Sequence, residues 1–516
     1  MKVYLMHPDR DLDLEQPLPA NAEALIQDLE LDTLFDAMAR GDNYLRELTR
    51  TCLLLSVTDP EAIRYRQHIL SDCLQQPAIV RELYELAIEG LESKRKAQLL
   101  WFRDSPDTLL AKSVRMLELL TDVLKRVRKL ADEHAEAFRS DGFSRLLATL
   151  SRELDDEYLK TVEGHLRELK FRRGSLISAE LGPGNRGKHY VLRKPNEQSL
   201  FEKLTPSGPA SYSFSVADRD EHGMQTLAEI RGHGIHKAAS ALAQATDHVL
   251  SFFNMLRAEL GFYVACLNLH EQLTEKGGPT CFPLPLPAHD TVLLARQLHD
   301  AALAFHLDGK VVGNDVDANG KRLVLITGAS QGGKSTFLRS VGLAQLMMQA
   351  GIFVAAEAFS ANTCAGLYTH FKREEDPTMT LGKLEEELSR MSEIAKLIKP
   401  SSLLLCNESF ASTNEREGSE IGRQLIGAMM EKHVRVFYVT HLYDLARSLH
   451  EQDLETVLFL RAERKPDGTR TYRLLEGEPL PTSYGPESYR RIFGERAERK
   501  RPQSLVHERD GRSNSA

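Results

Sequence analysis

The strand-like run Arg322–Thr327 (RLVLIT) ends directly in Gly328-Ala329-Ser330-Gln331-Gly332-Gly333-Lys334-Ser335, and an apolar helix pattern, TFLRSVGLAQLM, starts at Thr336. The match to G-x-x-x-x-G-K-[ST] between a strand and a helix ties this segment to one kind of fold. Its glycines let backbone N–H groups curl around phosphates, and the helix N-terminus adds partial positive charge. Gly328, Ala329, Ser330, Gln331, Gly332, Gly333, Lys334, Ser335 and Thr336 are therefore candidate phosphate-binding residues. Lys334 is expected on the β- and γ-phosphates of a nucleotide, and the Ser335 hydroxyl on Mg²⁺.

Such a loop works with polar groups at the ends of neighbouring strands. The apolar run SLLLC (402–406) ends in Asn407-Glu408. The usual pair is Asp-Glu, with Asp on magnesium and Glu polarising the attacking water. Asn407 supplies an amide oxygen without charge, which predicts slow turnover. Glu408 is the candidate general base. The run VRVFYVT (434–440) delivers His441 to the same edge, where it is expected to sense the γ-phosphate through the catalytic water. The predicted catalytic set is Glu408, His441 and Lys334, and the predicted metal pair is Ser335 and Asn407. Between these runs, Thr380-Leu381-Gly382-Lys383 opens a helix with Leu384, Leu388, Met391, Ile394 and Ile398 on one face, stopping at Pro400. Its N-terminus reads either as an anion site or as the start of an ordinary amphipathic helix.

The rest of the chain divides by hydrophobic period. The first 165 residues read as successive helices. In the clearest, Ser105 caps, Pro106 takes the first helical position, and Leu110, Val114, Leu117, Leu120, Leu124, Val127 and Ala131 form one stripe. Residues 175–192 read as a β-hairpin, and 196–232 carry no clear period. From Ile235 to about Leu273 no proline occurs, which predicts a helix about 60 Å long, a lever or strut. GGPTCFPLPLP (277–287) marks a domain boundary. Beyond it, IFVAA (352–356) and TVLFLRAE (456–463) join the runs above as strands alternating with helices, the pattern of a parallel α/β sheet. The expected domains are 1–287, 288–488, and a charged, disordered tail over 489–516.

Composition supports a large globular protein, with 42% hydrophobic and 27% charged residues. It excludes a disordered chain, a collagen-like fibre and a disulfide scaffold. A formal charge of −8 argues against a globally basic nucleic-acid coat and leaves room for a local basic patch. No apolar run approaches the roughly 20 residues of a membrane span, and acidic residues occupy the place of a leader's apolar core. A cytoplasmic protein without membrane contact is expected. Cys52, Cys73, Cys266, Cys281, Cys364 and Cys406 are scattered, with no C-x-x-C pair, and read as buried free thiols rather than a zinc site.

Taken together, these residues resemble the MutS family of DNA mismatch-repair ATPases. The resemblance is carried by LVLITGASQGGKSTFLRSVGLAQLMMQAGIFVAA (323–356), by SLLLCNESFASTNEREGSEIG (402–422) and by YVTHLYDLA (438–446). VVGND (311–315) is similar to a stretch at that family's adenine pocket, which implies nucleotide contacts from Val312 and Asn314. The resemblance is specific over about 305–465 and weaker over about 30–275, where RYRQHILSDCL (64–74) is similar to the start of the helical core. It implies an α/β P-loop ATPase domain of ABC type, preceded by a mostly α-helical core and lever region with a small β-hairpin. It also implies ATP and Mg²⁺ as cofactors, and a homodimer through paired ATPase domains, each site completed by the partner's helix N-terminus at Gly382-Lys383. Duplex, mismatched or branched DNA would be held between helical arms, with repair proteins as further partners. The mismatch-reading and connector domains are absent from this pattern. The one Phe-x-Glu, Phe493-Gly494-Glu495, lies in the tail, and Ser409-Phe410-Ala411-Ser412 departs from the family's Gly-Arg-Gly.

Three functions compete. The first is an ATP-dependent DNA clamp of mismatch repair or recombination. The second is a nucleotide-gated protein-interaction ATPase without direct mismatch recognition, favoured by the charge of −8. The third, a small-molecule kinase, lacks an Arg-rich lid segment.

Overall fold

A computed structural model describes residues 1–98, 105–172, 174–194, 212–373, 382–465 and 469–480. Thr380, Leu381, the Phe493–Glu495 triplet and the expected tail lie outside the described residues. The chain divides into two compact units. One is Met1–Pro287 with Ala304–Lys310 and Ala344–Ala355; the other is Ala288–Leu303, Val311–Leu343 and Ala356 onward. The straight cut expected after Pro287 therefore needs amending at two short segments. For Ala344–Ala355 the reason is local. Val57 N donates to Gln349 O (3.0 Å), Gln349 Nε2 donates to Val57 O (3.2 Å), and Arg66 Nη1 donates to Ala350 O (3.3 Å).

The first unit is helical. Polar caps set the helix starts: Asp42 accepts from Tyr44 N and Leu45 N, Asp59 precedes Pro60 at the first turn, and Ser105 Oγ accepts from Thr108 N. Helix Pro106–His134 buries every residue of its expected stripe. Leu110, Val114 and Leu117 meet Leu166, Ile235 and Ala239 in one apolar cluster. The hairpin pairs Leu176–Leu181 with Gly187–Arg193 in antiparallel register.

The long helix spans Glu221–Glu275, 55 residues, or about 80 Å. It starts 14 residues before Ile235, capped by Asp220 accepting from Gly223 N. The extension was invisible to periodicity because its apolar side chains Met224, Leu227 and Ile230 are exposed and mark no buried face. By length and composition it is the one helix among the described residues that could cross a membrane, yet 72% of its most apolar window is buried inside the protein. Gly90 lets a neighbouring helix approach it: a Cβ there would lie 2.8 Å from the Phe253 ring. Near its C-terminal end, fully buried Glu259 accepts from Met6 N (3.1 Å) and Leu12 N (3.2 Å), and Tyr263 donates to Leu5 O (2.7 Å). These bonds strap the N-terminal segment to the helix.

The second unit holds a six-stranded sheet in the order Arg470–Glu476, Val457–Arg464, Leu323–Thr327, Arg435–Val439, Leu403–Asn407, Leu367–Phe371. Arg470–Glu476 is antiparallel to its neighbour; the others run parallel. Leu323–Thr327 is buried at all five positions, as a central parallel strand should be. Leu293–Leu298 pairs antiparallel with both Asn314–Asp317 and Ala358–Asn362 in a separate sheet.

The expected strand IFVAA is not one. Residues 352–356 are buried, but only Val354 makes a bridge, to Cys281, and the strand forms at Ala358–Asn362 instead. A short run of consecutive apolar residues reports burial and carries no period. Helix Lys383–Leu397 forms as expected, with Leu384, Met391, Ile394 and Ile398 at the core; Leu388 departs, at 40% exposed. Five of the six cysteines are buried and Cys281 partly so.

Candidate nucleotide site

The parallel strands end at one edge of the sheet, and the predicted site residues converge there. Leu323–Thr327 turns through Gly328 (φ +112°), Gln331 (φ +59°) and Gly333 (φ +90°) into helix Lys334–Ala350. The positive φ values curl the loop, and glycine meets them without strain. The glycines also make room for a neighbour. A Cβ on Gly328 or Gly332 would lie 2.9 or 2.7 Å from Ala462, and one on Gly333 would lie 3.1 Å from Tyr472 O. The hairpin of the last two strands thus leans on the loop, and Arg470 Nη1 donates to Gln331 Oε1 (2.6 Å).

Lys334 is 4% exposed. Its Nζ crosses the loop to donate to Gly328 O (3.1 Å) and Ala329 O (2.9 Å). Burial pulls the amine down to about 8, opposed by the Glu408 charge and aided by Arg470. An arriving phosphate would favour the charged form. Ser330, Gln331 and Ser335 are exposed and Thr336 half-buried. Ser335 Oγ donates to Asn407 Oδ1 (2.9 Å), so the two predicted metal ligands meet across adjoining elements. Two neutral oxygens suit a hard cation that draws its remaining ligands from phosphate and water. Among the described residues no group of three His, Cys, Asp or Glu could hold a metal.

Glu408 and His441 form the other half of the site, with Glu408 Oε1 3.0 Å from His441 Nε2. The His441 hydrogen bond holds the Glu408 carboxyl below the usual range, against partial burial. His441 Nε2 also lies 3.4 Å from Lys334 Nζ. A proton on Nε2 donates to Glu408, so the lysine contact is electrostatic rather than a second hydrogen bond. Glu408 (φ +54°) and Phe410 (φ +61°) occupy the left-handed region, unusual for such residues. A cavity of about 150 Å³ is lined among others by Gly328, Thr440 and His441.

Asn314 does not face this site. It is buried, its Nδ2 donates to Tyr472 O (3.3 Å), and its Oδ1 accepts from Leu474 N (2.7 Å). Its amide clamps the strand Arg470–Glu476, which fixes the side chain on that strand's backbone rather than on the phosphate loop. Val312 is 37% exposed. Arg470 carried no sequence signal, because its partner Gln331 is 139 positions away.

Residues 58–276 match the MutS2 N-terminal domain, and residues 324–492 match MutS domain V. Mouse MutS protein homolog 4 is 24% identical over 291 residues, covering 53% of this chain and 29% of the mouse protein. Endonuclease MutS2 of Thermus thermophilus is 32% identical over 124 residues, 24% of this chain and 17% of the relative. DNA mismatch repair protein MutS of Chloroflexus aurantiacus is 27% identical over 243 residues, 44% of this chain and 25% of the relative. The chain thus spans less than a third of the length of these relatives. With both domain matches and all three relatives pointing the same way, the chain is a MutS-family protein.

Proposed function

We propose that this chain is an ATPase that binds DNA under nucleotide control, in mismatch repair or recombination. The observation that carries the reading is the convergence of Lys334, the Ser335–Asn407 pair and the Glu408–His441 pair at one sheet edge. Loop N–H groups and the helix N-terminus receive the phosphates. Lys334 leaves its carbonyl partners for the β- and γ-phosphate oxygens. Ser335 and Asn407 would hold Mg²⁺, which would supply charge neutralisation at the phosphates. Glu408 takes the proton of the attacking water, giving ADP and phosphate. His441 keeps the Glu408 carboxylate ionised and oriented. Asn407 lacks the charge of the usual aspartate, which makes turnover slow.

Each chain carries one such loop, so paired sites require two copies, the second contributing the helix N-terminus at Gly382-Lys383. Nucleotide-driven pairing would open or close the helical arms on duplex, mismatched or branched DNA. The test is a binding panel across homoduplex, mismatched, branched and single-stranded DNA, with and without ATP. Salt-sensitive, nucleotide-dependent binding to at least one duplex form is expected. No such binding in any nucleotide state would overturn the DNA reading.

A second reading, a nucleotide-gated protein-interaction ATPase, is favoured by exposed apolar side chains: Tyr212 at 93%, Phe214 at 84% and Met224 at 53%. It predicts nucleotide-dependent association with protein and none with DNA in the same panel.

A further inference from the structure

The geometry points to Glu387 as a positioning residue that sets the place of Glu408 from the helix Lys383–Leu397. The inference rests on the reading of Glu408 as general base and adds a means of regulating it.

The loop after Glu408 is held at both ends by this one residue. At the near end, Ser409 Oγ lies 2.6 Å from His370 Nδ1, and His370 Nε2 lies 3.0 Å from Glu387 O. Burial pushes the His370 ring down to about 4, so it is neutral near pH 7. A neutral ring has one N–H. Since a carbonyl only accepts, that proton sits on Nε2 and donates to Glu387 O; the single Ser409 hydroxyl proton is shared between Nδ1 and His370 O, 2.9 Å away. At the far end, Ser412 Oγ donates to Glu387 Oε1 (2.9 Å). The backbone of residue 387 thus reaches Ser409 through His370, and its side chain holds Ser412 directly. Tyr438 donates to Ser409 O (2.9 Å), and the Phe410 ring stacks on His370 with centroids 5.5 Å apart. The left-handed backbone at Glu408 and Phe410 is what this grip keeps in place.

Glu387 itself is 1% exposed, and its Oε2 has no hydrogen-bond partner among the described residues. A buried carboxyl with one oxygen unsatisfied is costly as packing alone. The cost is accounted for if the residue couples two parts that must move together. Its helix is capped by Gly382, and this N-terminus is the part that would complete a second copy's site. A shift of that helix on pairing reaches Glu408 through His370 and Ser409 at one end and through Ser412 at the other. Pairing would thereby set the base in or out of line with the water.

The experiment compares Glu387→Ala, Glu387→Gln, Ser412→Ala and Glu408→Gln in the full chain, reading ATP turnover, affinity for a fluorescent ATP analogue, and thermal midpoint. Glu387→Ala should lower kcat about 10²-fold, the scale of an ångström of misplacement. Ser412→Ala, the milder change should the first variant fail to fold, should lower it about tenfold. Glu387→Gln, which still accepts from Ser412, should restore most of the rate. Analogue affinity should stay within about twofold throughout, since no phosphate contact is touched. An inactive Glu408→Gln beside wild-type kcat in Ser412→Ala and Glu387→Ala overturns the positioning role alone. So does a joint fall of kcat, affinity and thermal midpoint, which marks a structural role. A fully active Glu408→Gln overturns the base assignment and the positioning role with it.

Discussion

Glu259 is held by three backbone donors and Glu408 by one imidazole, and the two carboxyls behave in opposite ways. Glu259 is fully buried in the helical unit, where desolvation raises its carboxyl to about 7 against the backbone N–H groups of Leu5, Met6 and Leu12. Glu408 is half-buried at a sheet edge, where a hydrogen bond from His441 lowers its carboxyl below the usual range. A perturbed carboxyl marks a candidate active site only with chemistry beside it. Glu259 has backbone donors, with the Asp11 and Arg66 charges acting on it from nearby; Glu408 has an imidazole, a lysine and a phosphate loop. The first fastens a segment, and the second has a reaction to serve.

The contrast breaks most sharply at Glu408. Glu408→Ala should cut ATP turnover by about 10²–10⁴-fold, the range for a general base, while nucleotide binding survives and paired, ATP-loaded chains accumulate. Unchanged hydrolysis would put Glu408 in the same class as Glu259. Next comes Lys334→Ala, expected to weaken ATP affinity by about 10²-fold or more through loss of a charge-assisted phosphate contact. Near wild-type affinity in a titration would remove the lysine from the site.

The smallest effect is at Glu259, and it concerns stability. Between pH 4.5 and about 7 the folded chain keeps a proton on Glu259 that the unfolded chain has released. This group's contribution therefore falls as pH rises through that window, by at most about 1.4 kcal/mol per pH unit. Glu259→Gln should remove that slope, cost about 1–3 kcal/mol from an imperfect amide fit, and leave ATP turnover alone. Denaturant curves at several pH values decide it; parallel pH profiles for wild type and variant would reject the titration, and lost turnover would reject the division of roles.

How much of this was legible depended on whether partners lie close in sequence or strand to strand. The phosphate loop was legible because its demands are local: glycines for the curl, lysine and serine at the helix start. Asn407, Glu408 and His441 followed from strands whose runs are plain and whose ends share an edge. Helix Pro106–His134 was legible down to its cap. Legibility ended where burial has no period, as in 352–356, and where an apolar face stays exposed, as at Met224 and Leu227. It also ended at polar contacts that only the fold assembles. Met6 and Leu12 lie 253 and 247 positions from Glu259, and Ser412 lies 25 from Glu387. Asn314 was assigned by likeness to a pocket, yet its amide meets the backbone of a strand some 160 residues on.

The hairpin leaning on the phosphate loop changes how mutational tolerance there should be interpreted. Gly328, Gly332 and Gly333 are bare on the side of Ala462 and Tyr472 whatever occupies the other side. An alanine scan would score these glycines as essential even for a chain that never met a nucleotide. Melting measured without ligand tells the two demands apart: a glycine kept for the neighbouring strand loses stability there, and one kept for phosphate loses only binding.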